Sequence, residues 1–191
     1  MRCFVAIAIP ESTRVRLVET LVTLRRRRHD ARWVAPENLH VSLAFLGEVP
    51  DNELNGISGI LTNVANGVRS FTLKICGAGT FGPPRHPRVL WAGIPASTEL
   101  TALHAALSTQ LSERGFRTDD REYSPHVTLA RFSRPGNCRP VTEWLEQCGQ
   151  TEFGPVDARE ILLMESVLEP QGARYRPVKF FRLADSGTRK V

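Results

Sequence analysis

Two short segments of the sequence each place a histidine two residues before a hydroxyl side chain. The first, residues 40–43, reads His-Val-Ser-Leu, and the second, residues 126–129, reads His-Val-Thr-Leu. On a β-strand, side chains at positions i and i+2 lie on the same face. Each segment therefore presents an imidazole and a hydroxyl group on one face and its apolar residues on the other. Two such strands brought together would supply two proton-transfer groups and two hydrogen-bond donors, which suits acid–base chemistry on a phosphate ester.

The sequence leading to each motif follows the same plan. In the first half an apolar run ends at Pro10 and is followed by leucines and valines at helical spacing, which predicts a buried strand and then an amphipathic helix. In the second half a similar run ends at Pro95, and leucines spaced three and four residues apart follow it. Pro10 precedes His40 by 30 residues, and Pro95 precedes His126 by 31. The sequence therefore predicts two similar halves.

We expect an α+β fold of two lobes related by approximate twofold symmetry. Each lobe would contain an antiparallel sheet with helices on its outer face, and one motif strand from each lobe would line a central cleft. The motif strands are predicted over 40–46 and 126–132, and a helix over 98–113. Residues 1–191 would then form one bilobal domain, with a flexible tail over 185–191.

The remaining segments carry weaker patterns. Glycines and prolines predict a loop over 77–87. Apolar runs predict the last strands over 161–168 and 178–183. An arginine run, 25–28, follows the first helix, where cations suit the negative end of the helix dipole. This run is interpreted either as a solvated helix end or as a contact with RNA.

The composition is that of a globular protein with a substantial core, since 41% of the 191 residues are apolar and 24% are charged. A net charge of +5 and a pI near 9.4 favour an anionic partner such as a nucleic acid or nucleotide. Four scattered cysteines predict reduced thiols and a cytoplasmic location. The first apolar run is too short for a signal peptide, and no stretch is long enough to span a membrane.

Within this frame the paired motifs resemble the signatures of the 2H phosphoesterase superfamily. They are most similar to those of its RNA 2′,3′-cyclic phosphodiesterases, also called bacterial and archaeal 2′-5′ RNA ligases. The resemblance is nearly full length and includes residues 2–7, 32–40, 88–93 and 172–175. It implies hydrolysis of a 2′,3′-cyclic phosphate to a 2′-phosphomonoester without a metal or other cofactor. RNA or nucleotides with cyclic phosphate ends are the implied partners, and 2′-5′ ligation is the implied reverse reaction.

The same resemblance implies roles for the motif side chains. His40 would be the proton donor to the departing ribose oxygen, and His126 would accept a proton from the attacking water, since an imidazole serves either role near neutral pH. Ser42 and Thr128 would hydrogen-bond the nonbridging oxygens, where negative charge develops. Position 42 is more often threonine in the family, and Ala44 stands where many relatives carry a basic residue.

Three further side chains are candidate substrate ligands. Strict alternation along a strand places Arg131 on the face opposite His126, yet the family carries an arginine at this position and a β-bulge would redirect it. Phe45 and Trp33 lie close enough to the first motif to stack on a base, although either could instead fill the protein interior. No metal site is predicted, because the histidines are dispersed and the cysteines lack ligand spacing.

Two alternatives to the implied function remain open. The cleft could bind nucleotides or RNA without turnover, although both histidines and both hydroxyl groups are present. It could also hydrolyse another substrate, such as ADP-ribose 1″,2″-cyclic phosphate or a 2′-5′ oligonucleotide. ATP-dependent ligation is not expected, because the sequence contains no lysine-centred nucleotidyl-transfer motif and no glycine-rich phosphate loop. We expect the protein to be a monomer.

Overall fold

A computed structural model describes residues 1–83, 85–116, 122–133, 136–170 and 172–185. The strands in these ranges are β1 Arg2–Ala8, β2 Ala31–Trp33, β3 His40–Glu48, β4 Phe71–Cys76, β5 Ala78–Phe81, β6 Val89–Gly93, β7 His126–Phe132, β8 Glu152–Ala158, β9 Glu160–Glu169 and β10 Gly172–Arg182. The helices are α1 Glu11–Arg27, α2 Leu54–Gly67, α3 Thr98–Glu113 and α4 Arg139–Cys148. No helix of the described residues is long and apolar enough to cross a membrane. Beyond Asp185, the predicted tail lies outside the described residues.

The two long helices that precede the motif strands bury their leucines. Helix α3 begins after Ser97, whose side chain accepts a hydrogen bond from the Leu100 amide at 3.2 Å and so caps the helix. The buried leucines are Leu17, Leu21 and Leu24 in α1 and Leu100, Leu103, Leu107 and Leu111 in α3. Their spacing of three and four residues keeps them on one face of each helix. Both stripes join the same hydrophobic core as the inward residues of the main sheet.

The main sheet joins the two halves of the chain. Its strands are antiparallel in the order β10-β9-β1-β3-β7-β6-β5, and β2 pairs with β7 outside this path. Among the described residues, the motif strands β3 and β7 meet at one pair, Val41 opposite Val127. Each valine directly follows its motif histidine, so an approximate twofold axis passes beside this pair. Strands β4 and β8, which occupy equivalent places in the two halves, form a separate antiparallel pair.

This architecture confirms the predicted α+β fold. The helix predicted over 98–113 and the strand predicted over 126–132 have the bounds that the structure gives them. Strand β3 runs two residues beyond the predicted end at position 46. The order strand, helix, motif strand, helix, strand recurs in both halves. The internal repeat in the sequence is therefore a repeat of structure.

Three strand assignments need correction. The segment predicted as a loop over 77–87 contains β5, which pairs with β6. Gly79 in this strand lies under the Trp91 ring, and a Cβ there would stand 2.3 Å from a ring carbon. Strand β8 received no prediction, because Gly154 and Pro155 interrupt its apolar pattern. Strand β10 begins at Gly172 rather than near 178, since its first residues are polar and lie at the edge of the sheet.

The arginine run at the end of α1 is mostly engaged within the protein. Arg28 is only 3% exposed, makes two 2.7 Å hydrogen bonds to the Asp30 carboxylate and lies over the Phe132 ring. Arg25 donates to the Val34 carbonyl at 3.0 Å. Arg27 also forms an ion pair, with Glu143 of α4. The interpretation as a solvated helix end is wrong for Arg25 and Arg28, whose guanidinium groups bind the chain itself.

Candidate active site

The pairing of the motif strands places all four motif side chains on one face of the sheet. Val41 and Val127 are fully buried, and partners across an antiparallel pair point to the same side. The residues before and after each valine therefore point to the opposite side, away from the core. Because the strands run in opposite directions, the first histidine approaches the second hydroxyl and the second histidine approaches the first hydroxyl. The four residues are His40, Ser42, His126 and Thr128.

The two imidazoles are held in the same way. His40 Nδ1 lies 2.7 Å from the carbonyl oxygen of Asn38, and His126 Nδ1 lies 2.7 Å from the carbonyl oxygen of Ser124. A carbonyl only accepts, so each Nδ1 carries the hydrogen and each Nε2 is left to exchange protons. At His40 this Nε2 lies 3.0 Å from Ser42 Oγ, which donates to it while the ring is neutral. Both histidines are thereby oriented for acid–base chemistry through Nε2.

The environment lowers the pKa of both motif histidines. Burial disfavours the charged imidazolium at His40, the hydrogen bond to the Asn38 carbonyl opposes this, and repulsion from His126 and Arg131 lowers the pKa further. At His126 burial is again the largest cause, with Arg131 adding to it against the opposing hydrogen bond to Ser124. Both shifts favour the neutral imidazole near pH 7, whereas a bound anion would favour the imidazolium.

A β-bulge in β7 brings Arg131 to the histidine face. Consecutive residues of β6 pair with Thr128 and with Ala130, which leaves Leu129 as an extra residue. An extra residue reverses the alternation of side chains beyond it. Arg131 consequently lies on the same face as Thr128 and is exposed, while Ala130 is buried. The placement predicted by strict alternation is wrong, and the bulge is the reason.

A matching bulge in β3 acts on Phe45. Consecutive residues of β1 pair with Ser42 and with Ala44, which leaves Leu43 unpaired. Phe45 is thereby turned to the motif face, where it is 61% exposed and its ring lies 6.2 Å from that of Phe4. This bulge is the twofold counterpart of the one in β7, and Phe45 occupies the position that corresponds to Arg131. One wall of the cleft thus carries an exposed aromatic ring where the other carries a cation.

Aromatic rings from neighbouring strands pack against both histidines. The Phe4 ring lies 4.9 Å from His40, and the Tyr175 ring lies 5.3 Å from it, edge on. On the other side the Phe81 ring lies 4.9 Å from His126, also edge on, and 5.4 Å from Trp91. The sequence patterns assign none of these rings to the site. Their strands are distant in sequence, so only the register of the sheet reveals them.

Trp33 does not belong to this site. It pairs with Ala130 across β2 and β7, on the face that is buried. Its Nε1 donates to the Arg28 carbonyl at 3.1 Å, and the Arg25 guanidinium lies 5.4 Å from its ring centroid. The prediction that Trp33 stacks on a base is therefore wrong. Although Trp33 is close to the first motif in sequence, it lies on the opposite face of the sheet from the motif histidines.

Asn38 ties the first motif to the edge strand β10. Its side-chain Nδ2 donates to the Ala173 carbonyl at 2.7 Å, and its Oδ1 accepts from the Tyr175 amide at 3.3 Å. Its backbone carbonyl is the one that holds His40. One residue therefore fixes both the imidazole and the aromatic ring beside it. The sequence signal available for this role is its position, two residues before the motif histidine.

A partly buried tyrosine, Tyr123, connects the second motif to the first. Tyr123 Oη donates to the Ser42 carbonyl at 2.9 Å, and its ring stacks on His104 of α3 at 3.8 Å. Burial raises the pKa of Tyr123, so the phenol remains a neutral donor. The segment leading into His126 is thus anchored on β3.

A small notch of ≈ 60 Å³ opens beside His40 on the motif face. The notch exists because two of its lining residues are alanines with small side chains. Apolar side chains of β9 and the Tyr175 ring border it. Its lining includes Ala6, Ala8, Leu162, Met164 and Tyr175. Within the described ranges no three His, Cys, Asp or Glu side chains lie together as a metal site. The prediction of a metal-independent reaction stays a prediction.

Comparison with known proteins gives matches over nearly the whole chain. A family model described as the 2′-5′ RNA ligase superfamily matches residues 10–166. A Methanothermobacter thermautotrophicus protein named RNA 2′,3′-cyclic phosphodiesterase is 32% identical over 183 residues, covering 96% of this chain and 99% of that one. The crystal structure of a Thermus thermophilus protein superposes with a TM-score of 0.83 at 28% identity, covering 98% of this chain and 100% of that chain. Escherichia coli LigT complexed with 3′-AMP superposes with a TM-score of 0.72 at 27% identity, covering 95% of this chain and 97% of that chain.

Proposed function

This chain belongs to the 2′-5′ RNA ligase superfamily, and we propose that it hydrolyses the 2′,3′-cyclic phosphate ends of RNA or nucleotides to 2′-phosphomonoesters. The observation that carries the proposal is the matched pair of histidines, each held through Nδ1 by a carbonyl two residues upstream, on one face of the sheet. The name of the Methanothermobacter relative and the nucleotide bound to the LigT structure support the same substrate class.

The reaction uses the two histidines on opposite sides of the phosphorus. His126 takes a proton from water through Nε2 as the water oxygen attacks, and the bond from phosphorus to the 3′ oxygen breaks. His40, protonated on Nε2, donates that proton to the departing 3′ oxygen, which becomes a hydroxyl group. This assignment of donor and acceptor follows the family resemblance. Each proton transfer contributes about 10²–10⁴-fold to the rate.

The hydroxyl groups and Arg131 act on the phosphoryl oxygens. Ser42 and Thr128 donate hydrogen bonds to the nonbridging oxygens, and these bonds strengthen as negative charge develops. Arg131, brought to this face by the bulge, adds a positive charge near both histidines. The bound phosphate offsets the repulsion that lowers the histidine pKa values, so substrate favours protonation of one imidazole.

Phe45 is proposed to contact the nucleobase. Its exposed ring lies on the motif face beyond Ser42, and stacking on a base is favourable for any sequence. Ligation follows from the same site when a 5′-hydroxyl group replaces water as the nucleophile. The 5′ oxygen then bonds to phosphorus as the 3′ oxygen leaves, which produces a 2′-5′ linkage. A monomer in the cytoplasm is the predicted working form.

The direct test is product identification with the protein in EDTA and an RNA that ends in a 2′,3′-cyclic phosphate. We expect a 2′-phosphate end, and we expect His40→Ala and His126→Ala to lose this activity. Tight binding without turnover would instead favour a nucleotide- or RNA-binding module. Turnover only of another cyclic phosphate or a 2′-5′ oligonucleotide would change the substrate, and a requirement for added metal would overturn the mechanism.

A further inference from the structure

Two arginines lie side by side on the motif face beyond Thr128. Arg32 of β2 pairs directly with Arg131 of β7. Their neighbours in the same pairing are inward: Phe132 is 7% exposed and Ala130 is fully buried. Partners across a strand pair share a face, so both arginines point to the side that carries the histidines. Both side chains are exposed.

The charges of this pair are not balanced by the protein. Across the residues that the structure describes, neither guanidinium forms an ion pair or a side-chain hydrogen bond. Like charges directly opposite on neighbouring strands destabilise a sheet. By contrast, Arg27 and Arg28, only a few residues away in sequence, are both paired with carboxylates. The arrangement at Arg32 and Arg131 therefore favours an anion between or above them.

The two arginines differ in their distance from the reacting centre. Arg131 lowers the pKa of both His40 and His126, whereas Arg32 is not among the causes of either shift. The register agrees, because Arg32 pairs with Arg131, which lies three residues beyond Thr128 on β7, on the side away from His126. An anion held by Arg32 is then a group beyond the reacting phosphate. In an RNA strand the nearest such group is the internucleotide phosphate, which joins the terminal nucleotide to the preceding one.

We propose that Arg32, beside Arg131 on the side away from the motifs, binds the internucleotide phosphate that precedes the cyclic end of an RNA strand, while Arg131 acts on the reacting phosphate. The proposal depends on the proposed function for the identity of the reacting group, and it adds a preference for an oligonucleotide over a mononucleotide. A mononucleotide has no phosphate to place there. Arg32 is thus a specificity residue on β2, and only the sheet register shows that it lies beside the site.

The test compares 2′,3′-cyclic AMP with an ApA dinucleotide that ends in a 2′,3′-cyclic phosphate. We expect Arg32→Gln to lower the ratio of kcat/KM for the dinucleotide over the mononucleotide by about tenfold, the size of one charge-assisted hydrogen bond. A dinucleotide with an uncharged methylphosphonate linkage should show no such loss. Arg26→Gln, which changes an exposed arginine of α1, is the matched control and should leave the ratio unchanged. An equal loss on both substrates, or no difference between the charged and uncharged linkages, would overturn the proposal.

Binding separates this proposal from the proposed function. An ApA dinucleotide that ends in a 2′-phosphate requires no turnover, and its affinity can be measured by calorimetry at several salt concentrations. The logarithm of affinity falls linearly with the logarithm of salt concentration. Loss of one phosphate contact in Arg32→Gln should make this slope shallower by about 0.7. If the wild-type protein hydrolyses neither cyclic substrate, the proposed function fails, while this binding difference still decides the role of Arg32.

Discussion

The two halves of the cleft have the same backbone arrangement but carry different side chains at its rim, Phe45 in the first half and Arg131 in the second. Both contain a histidine held by a carbonyl two residues upstream, a hydroxyl two residues downstream and a bulge at the next residue. Beyond the bulge the first half carries Phe45 and the second carries Arg131. Equivalent backbone frames therefore hold the two imidazoles, while the residues beyond the bulges are those we propose to contact the base and the phosphates. We propose that this difference orients an asymmetric substrate and so decides which histidine donates the proton.

The halves also differ in how each carbonyl is held. Asn38 holds His40 through its backbone carbonyl and binds β10 through its side chain. Ser124 holds His126 through its backbone carbonyl. The second half is held instead through Tyr123, which donates to the Ser42 carbonyl. Symmetry in the catalytic geometry is thus produced by unrelated supporting contacts. These contacts can be removed one at a time.

Removing either imidazole should have the largest effect. We expect His40→Ala and His126→Ala each to lower kcat by about 10²–10⁴-fold, because each deletes one proton transfer. The double variant should lose little more than the worse single variant, since the two act in one step. Steady-state rates on 2′,3′-cyclic AMP measure this. His29→Ala, an exposed histidine outside the cleft, is the control, and full activity in either motif variant would contradict the account.

Phe45 and Arg131, the two rim residues that differ between the halves, should affect kcat and KM differently when they are replaced. Arg131→Gln should lower kcat/KM by about 10²-fold, because a cation beside the developing charge is lost. Phe45→Ala should lower kcat/KM by about tenfold, mainly through KM, because one stacking contact is lost. Leu168→Ala removes an apolar side chain that is 73% exposed on β9 and serves as the control for Phe45→Ala. Equal effects of the two rim variants on kcat and KM would remove the distinction between the rims.

The supporting contacts should affect kcat, and no more strongly than the loss of the Phe45 ring affects kcat/KM. Asn38→Ala deletes two hydrogen bonds but keeps the carbonyl that holds His40, so we expect kcat to fall by about tenfold with KM nearly unchanged. The rate profile should also shift on the pH limb that belongs to His40, which simple loss of stability would not cause. Ser124→Ala is the twofold counterpart and should be close to wild type. If the two variants behave alike, the Asn38 side chain has no positioning role.

The sequence predicts the parts of this molecule that local patterns determine. Helix α3 and strand β7 follow from leucine spacing and from alternation, and the repeat follows from matched landmarks. The β-bulges depend on pairing with β1 and β6, so alternation misplaces Arg131. Trp33 is close to the motif in sequence, yet its register places it on the buried face. The ring of Phe4 reaches His40 from another strand, a contact that no local pattern encodes.

The most direct test of two-histidine catalysis is the pH dependence of kcat/KM for 2′,3′-cyclic AMP in EDTA. One histidine must be charged and the other neutral, so the profile should be bell-shaped. Because burial and Arg131 lower both pKa values, the maximum should lie below the ordinary histidine value of about 6.5. Arg131→Gln removes a positive charge that opposes protonation, so its bell should move to higher pH.

The single-histidine variants complete this measurement. His40→Ala and His126→Ala should each replace the bell with a profile that has lost one limb, since only one imidazole remains to titrate. That result would support acid–base catalysis by the two halves of the cleft. A flat profile between pH 5 and 8 in the wild-type protein, or a bell that persists in both variants, would contradict it.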